Sequence, residues 1–140
     1  MYEYSCEVKR VVDGDTVDVV LDLGFDILYK CRVRLYGIDT PESRTRNKDE
    51  KARGKMASAF LKNAIDNGTK VVIQTKLKDS KGKFGRVLGD VVVDGVNINK
   101  AMIDNYHAAA YFGQSKEAIE AVHNANRTRL IELGKFEPIV

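Results

Sequence analysis

The chain has 140 residues, a mass of 15.7 kDa and a formal net charge of +3. This length suits one domain that buries roughly two thirds of its unfolded surface, so folding requires no disulfide or metal staple. The two cysteines, Cys6 and Cys31, lack the close spacing of a zinc-ligand pair, which argues against a zinc site and a disulfide framework and favours buried free thiols.

The N-terminal residues have neither a basic segment nor an apolar segment of the kind found in signal peptides. No stretch of the sequence approaches 18 consecutive apolar residues, which is the length that indicates a membrane span. We therefore expect a cytoplasmic protein with no membrane contact, unless a leader was removed before the recorded first residue.

The charges are unevenly distributed along the chain. Residues 1–26 carry seven acids and two bases, residues 44–62 carry seven bases and two acids, and residues 70–86 carry six bases and one acid. Such clusters are most often solvated faces. Two basic stretches beside an acidic one also fit a nucleic-acid backbone lying over a cation site, because Lys and Arg bind phosphates while carboxylates bind a metal.

The first two predicted strands, residues 4–12 and 17–23, are joined by an Asp13-Gly14 hairpin turn. Asp15 shares the parity of the apolar positions in the second strand, so its carboxylate should point to the core side, at the rim where a barrel opens. A carboxylate in that position needs a partner. The alternative is that the acids here only stabilise the turn.

The third predicted strand, residues 29–35, alternates apolar and basic residues and ends in a polar corner. Arg34 should point away from the core. Asp39 and Glu42 follow on a turn that Pro41 constrains, because proline lacks the N–H that a continuing strand would need. The corner therefore predicts a chemical site, although a strand-ending turn whose acid pairs with Arg34 remains the alternative.

The remaining pattern predicts three helices and two more strands. They are a helix at residues 49–67, strands at 70–77 and 87–93, a helix from Asn97 or Asn99 to about residue 106, and a helix at 115–133. Residues 78–86 contain two glycines and four cations, which suits a loop that contacts phosphate but also a merely soluble turn. His107 and His123 lack a second ligand at metal spacing, and we expect ordinary surface or core histidines.

Five strands, with one helix after the third strand and two helices at the C-terminal end, predict an α+β fold. The expected architecture is a five-stranded OB-type β-barrel with three α-helices, forming a single domain over residues 1–140. Such barrels commonly bind nucleic acids or sugars, but the fold alone does not give the function. A monomer is expected, because no exposed apolar helix face is left over.

Three motifs together resemble the staphylococcal nuclease (thermonuclease-like) family in order and spacing. They are Asp13-Gly14-Asp15-Thr16, then Arg34 followed by Asp39-Thr40-Pro41-Glu42, then Lys83-Phe84-Gly85-Arg86. Each motif alone is weak, but the ordered set is specific, and the resemblance extends from about Val8 to Leu133.

The resemblance implies Ca²⁺-dependent cleavage of DNA and RNA that leaves 5′-hydroxyl and 3′-phosphate ends. It implies a role for eight residues of this chain: calcium ligation by Asp15, Asp39 and the Thr40 carbonyl, general-base or water-orienting action by Glu42, phosphate binding by Arg34 and Arg86, and nucleic-acid contacts by Lys83 and Tyr111. No obligate protein partner is implied.

Elementary chemistry agrees with these roles. Phosphodiester hydrolysis gathers negative charge on the phosphorus oxygens, which a hard cation and a planar guanidinium both stabilise. All-oxygen ligands favour Ca²⁺ or Mg²⁺ over Zn²⁺, and irregular geometry accepts Ca²⁺ more readily. The sequence therefore predicts a largely sequence-nonspecific nuclease. The alternatives are a catalytically silent nucleic-acid-binding module of the same fold and an OB-type protein–protein adaptor in which Arg34 pairs with Asp39.

Overall fold

The computed structural model of the chain describes residues 2–76 and 87–139. Within these residues the chain forms eight strands and three helices: β1 Glu3–Asp13, β2 Thr16–Asp22, β3 Leu28–Leu35, β4 Ile38–Asp39, α1 Lys48–Asp66, β5 Val71–Thr75, β6 Val87–Val93, β7 Val96–Asn97, α2 Ile98–Asp104, β8 Ala109–Ala110 and α3 Lys116–Glu132. In this part of the chain, none of the helices is long and apolar enough to cross a membrane.

The five longer strands close into a barrel. They are hydrogen-bonded in the order β3-β2-β1-β5-β6, and a parallel pairing of β3 with β6, from Val33↔Val87 to Leu35↔Gly89, joins the two ends. Three antiparallel pairs, β1 with β2, β2 with β3 and β5 with β6, join strands that follow one another among these five, while β1 also pairs antiparallel with the distant β5. The predicted α+β fold, an OB-type barrel of five strands with three helices, is confirmed.

The barrel core consists of the apolar half of each alternating strand. Val17, Val19 and Leu21 of β2 are at most 3% exposed, and Val33 and Leu35 of β3 are completely buried. Because successive side chains of a strand point to opposite faces, Arg34 lies on the face opposite its two buried neighbours. The predicted parity of both strands is therefore confirmed.

Three strands of two residues each were not predicted, because so short an element carries no periodicity. One of them matters for the site: β4 pairs with β8 in a separate small sheet, with Ile38 opposite Ala110 and Asp39 opposite Ala109. This pairing ties the polar corner after β3 to the chain segment that leads into α3. It also places Tyr111, the residue after β8, beside the corner, where its N–H donates to the Gly37 carbonyl at 2.7 Å.

Side-chain caps set the beginnings of the helices. Asn47 caps α1 by accepting from the Glu50 N–H, and Ser115 caps α3 by accepting from the Ala118 N–H. Of the two predicted caps for α2, the structure has Asn97. Asn99 is instead buried, where its side chain binds the backbone of β6 and the Tyr36 carbonyl.

The two cysteines are free and half-buried, each lying in a strand of the barrel. Burial, together with the neighbouring Cys31 thiol, raises the pKa of the Cys6 thiol to about 11. Burial likewise raises the pKa of Cys31. Both side chains therefore stay protonated near neutral pH, as expected for structural thiols.

Candidate active site

The acids and the arginine predicted to carry the chemistry meet at one rim of the barrel. Thr16 is the register partner of Arg34 across β2 and β3, so Asp15 lies beside the end of β3. Arg34 Nη1 is 3.6 Å from Asp15 Oδ2, and its Nη2 is 4.0 Å from Asp39 Oδ1. One guanidinium therefore bridges two carboxylates that lie 24 positions apart in the sequence.

The Arg34 guanidinium is fixed by the backbone of the corner itself. Its Nη1 donates to the Leu35 and Ile38 carbonyls, both at 3.0 Å, and the side chain is only 19% exposed. Within the described ranges, Nε and Nη2 make no hydrogen bond. The Nε–Nη2 edge is thus free for two parallel bonds to a planar or tetrahedral anion, a geometry that suits phosphate.

Asp15 is held in place by its neighbour and by close packing of the preceding turn. Thr16 Oγ1 donates to Asp15 Oδ1 at 2.9 Å. A Cβ added at Gly14 would lie 2.7 Å from the Ala57 Cβ of α1 and 3.2 Å from Thr40 Cγ2. The glycine therefore lets the turn approach both the helix and Thr40, which brings Asp15 and Thr40 to the same side of the rim.

The Glu42 segment is fastened to the barrel and to α1. The Glu42 N–H donates to Glu50 Oε2 at 3.3 Å, and Ser43 Oγ donates to Asp13 Oδ1 at 2.6 Å. The pKa of the Glu42 carboxyl is raised above its usual value, first by burial and then by the negative charges of four nearby acids, Asp15, Asp13, Asp39 and Glu50. The rim therefore carries a surplus of negative charge around Glu42.

This donor set fits a hard divalent cation. Two carboxylates and a backbone carbonyl supply only oxygen atoms, and a bound cation would relieve the charge repulsion that raises the Glu42 pKa. Across residues 2–76 and 87–139, no three His, Cys, Asp or Glu side chains converge closely enough to hold a metal ion by themselves. Water and phosphate oxygens would have to complete the ligand set of Asp15, Asp39 and Thr40.

A cleft of about 580 Å³ opens over these residues. Arg34, Asp39 and Glu42 line one part of it, and Tyr111 and Lys116 line another. Tyr111 is 46% exposed, which leaves much of its ring available to a ligand. The cleft thus combines the Arg34 guanidinium, an acidic cluster, the Tyr111 ring and the Lys116 ammonium group.

The whole of the predicted phosphate-contacting loop at 78–86, including two predicted site residues, Lys83 and Arg86, lies outside the described residues. The structure therefore places six of the eight predicted positions, namely Asp15, Arg34, Asp39, Thr40, Glu42 and Tyr111, and brings them to one rim.

His123 is part of this site, although the sequence indicated only an ordinary histidine. Its Nε2 lies 2.8 Å from Asp39 Oδ2, and the imidazole is nearly buried on α3. The two residues are 84 positions apart, so no spacing motif could have connected them. The sequence predicted a helix at residues 115–133, but not which of its side chains would meet Asp39.

The barrel and its rim define the class of protein: an OB-type domain with an arginine set between acids that could bind a cation. The sequence profile described as "Staphylococcal nuclease homologue" matches residues 32–130, which is most of the chain. The chain therefore belongs to the staphylococcal nuclease homologue family, as its motifs predicted.

Curated relatives carry nuclease names. Endonuclease YhcR of Bacillus subtilis is 33% identical over 116 residues, which cover 79% of this chain and 9% of that protein. The thermonuclease of Staphylococcus intermedius is 42% identical over 84 residues, covering 60% of this chain and 46% of that protein. The SPbeta prophage-derived endonuclease YokF of B. subtilis is 33% identical over 96 residues, covering 69% and 30%. The chain matches less than half the length of each of these relatives.

Proposed function

We propose that this chain is a Ca²⁺-dependent, largely sequence-nonspecific nuclease domain that hydrolyses DNA and also RNA, leaving 3′-phosphate and 5′-hydroxyl ends. The observation that carries this proposal is the position of Arg34 between Asp15 and Asp39, at a cleft that Arg34 and Asp39 line together with Glu42. The names of the family and of the endonuclease and thermonuclease relatives support the same class of reaction.

Substrate binding begins with the phosphate. The Nε–Nη2 edge of Arg34, which bonds none of the other described residues, can donate two hydrogen bonds to the scissile group, while Nη1 stays on the backbone carbonyls and keeps the guanidinium in place. The family resemblance assigns a second phosphate contact to Arg86. Tyr111 and Lys116 line the cleft beyond Arg34, where a base can stack and a neighbouring phosphate can bind.

Glu42 then takes a proton from the attacking water. The water oxygen bonds to phosphorus as the bond from phosphorus to the 5′ oxygen breaks. The leaving oxygen takes a proton from solvent water and Glu42 releases its proton to solvent, which gives the proposed ends. A carboxylate with a raised pKa is a stronger base than an ordinary glutamate, and burial, the first cause of the raised Glu42 pKa, persists when a cation offsets the acidic neighbours. Held by Asp15, Asp39 and the Thr40 carbonyl, Ca²⁺ would supply positive charge for the phosphate and lower the pKa of a bound water.

The test uses purified chain and labelled single-stranded DNA in CaCl₂, in MgCl₂ and in EGTA. Arg34→Ala should slow cleavage about a hundredfold or more, since removing one preorganised donor to a transition-state oxyanion costs about 3 kcal/mol. Arg32→Ala is the matched control, because Arg32 lies on the same strand but pairs with Asp18 at 2.7 Å on an exposed face. That variant should cut at the wild-type rate.

Cleavage in CaCl₂ that both EGTA and Arg34→Ala abolish would support the nuclease and its cation together. Equal cutting by the wild type and Arg34→Ala would identify a contaminating enzyme. If the wild type and Arg34→Ala both bind the DNA and neither cuts it, catalysis is refuted. The catalytically silent nucleic-acid-binding module is then the function that the result supports. Equal rates in CaCl₂ and MgCl₂ would refute the preference for Ca²⁺.

A further inference from the structure

His123 and Asp39 form a hydrogen bond whose direction is fixed by chemistry. An ionised carboxylate can only accept, so the proton lies on His123 Nε2, which is 2.8 Å from Asp39 Oδ2. The other carboxylate oxygen, Oδ1, faces Arg34 Nη2 at 4.0 Å. The two oxygens of Asp39 therefore have different surroundings: Oδ2 accepts from the imidazole, and Oδ1 faces Arg34 and the cleft.

Both partners of this bond are held by contacts with other parts of the fold. Asp39 lies in β4, paired with Ala109 of β8. On α3, Asn126 donates to the Ala108 carbonyl at 3.2 Å. One position further along, Arg127 donates to both oxygens of Asp49 on α1. The strand and the helix thus share an anchor at Ala108 and Ala109, and α1 holds the helix at a second point.

The stability of the core does not by itself account for a histidine here. The imidazole is 9% exposed, and its Nδ1 is buried without a hydrogen-bond partner among the residues that the structure describes. The ring also lines a cavity of about 10 Å³ beside Pro41 and Arg53, which has room for about one water molecule. Packing alone does not require an N–H directed at an acid, so the bond to Asp39 is what a histidine adds at this position.

We infer that His123 is a positioning residue for cation binding: its N–H binds Asp39 Oδ2 and leaves Oδ1 as the oxygen offered to the cation. The inference rests on the cation site of the proposed function and adds a residue to it. Only the N–H is required, so a neutral ring suffices. Partners that orient metal ligands in this way typically change metal affinity about 10- to 100-fold when they are removed.

The test measures CaCl₂ binding to the purified chain by isothermal titration, without substrate. His123→Leu and His123→Asn should each raise the Kd for Ca²⁺ about 10- to 100-fold, because leucine has no donor and the shorter asparagine does not place its amide at the Nε2 position. His123→Gln can place an amide N–H there and should stay within roughly threefold of the wild type. Since Asn and Gln are similar in polarity, their difference reports the position of the donor rather than folding.

Thr128→Ala is the matched control. It removes a hydrogen bond within α3, from the Thr128 hydroxyl to the Asn124 carbonyl, on the exposed side of the helix. We expect it to leave the Kd for Ca²⁺ unchanged. A Kd that rises equally in Thr128→Ala, or one that stays unchanged in His123→Leu and His123→Asn, would overturn the role of His123 but not the cation site. A wild-type chain that binds no Ca²⁺ would overturn the proposed cation site as well.

Discussion

Gly54 offers a sharp test of how α1 positions the candidate base. It lies within the helix at the point where the Pro41-Glu42 backbone crosses. A Cβ added there would stand 2.7 Å from the Glu42 carbonyl carbon, the Glu42 oxygen and the Pro41 oxygen. All three contacts are backbone atoms, so the overlap cannot be relieved by a side-chain rotation. Either the helix or the Glu42 segment must move in Gly54→Ala.

Two opposing effects decide the outcome of this substitution. Alanine is favoured over glycine within a helix by about 1 kcal/mol. Overpacking a closely fitted site costs typically 1 to 3 kcal/mol. We expect the overlap to dominate, with a net loss of about 1 kcal/mol in the free energy of unfolding. Because a displacement of about 1 Å in a catalytic group can cost roughly a hundredfold in rate, a shift of several tenths of an ångström should lower kcat about tenfold.

Urea unfolding checks the predicted loss in the free energy of unfolding, and the rate of single-stranded DNA cleavage, measured on the same preparations, checks the predicted loss in kcat. Lys55→Ala is the control, because Lys55 is the next residue of α1, its side chain is exposed and alanine suits a helix as well as lysine does. It should leave both quantities nearly unchanged. A Gly54→Ala variant that is about 1 kcal/mol more stable than the wild type and retains its kcat would refute the reasoning.

Two further predictions concern α1 and the cleft. Hydrogen bonds from Arg127 and Arg53 hold the pKa of Asp49 at about 2, below its usual 3.8. The stability that this carboxylate contributes is therefore complete above about pH 4 and lost as the pH falls towards 2. Allowing for solvent screening, urea unfolding should show the wild type losing about 1 to 2 kcal/mol over that interval relative to Asp49→Asn, and parallel pH curves would contradict it. Tyr111→Ala should raise the Kd for single-stranded DNA roughly tenfold, since stacking on one aromatic ring is worth about 1 to 3 kcal/mol, and an unchanged Kd in gel-shift assays would remove Tyr111 from the substrate site.

Much of the fold could be read from local patterns. Alternation in β2 and β3 predicted the inward face, and Asp13-Gly14 predicted the turn between β1 and β2. The corner from Arg34 to Glu42 was found because its residues lie within nine positions of one another. The strands β4 and β8 were missed, because two residues are too few to show a period.

The residues that complete the site were decided by long-range packing. Asp15 joins Arg34 through the β2–β3 register, and His123 reaches Asp39 across 84 positions because α3 packs against β8 and α1. Glycine is ordinarily unfavourable within a helix, but Gly54 of α1 permits the close approach of the Glu42 backbone.

The sequence by itself determined the longer elements, the parity of their side chains and the chemistry of the corner, and its motifs identified the family. These features depend on interactions between residues close together in the chain, and local patterns record them. Only the tertiary structure decided which carboxylate oxygen faces the cleft, which histidine binds Asp39 and how closely α1 approaches Glu42. Those contacts arise when separate elements pack together, and the distances that result are fixed by the shape of the whole barrel.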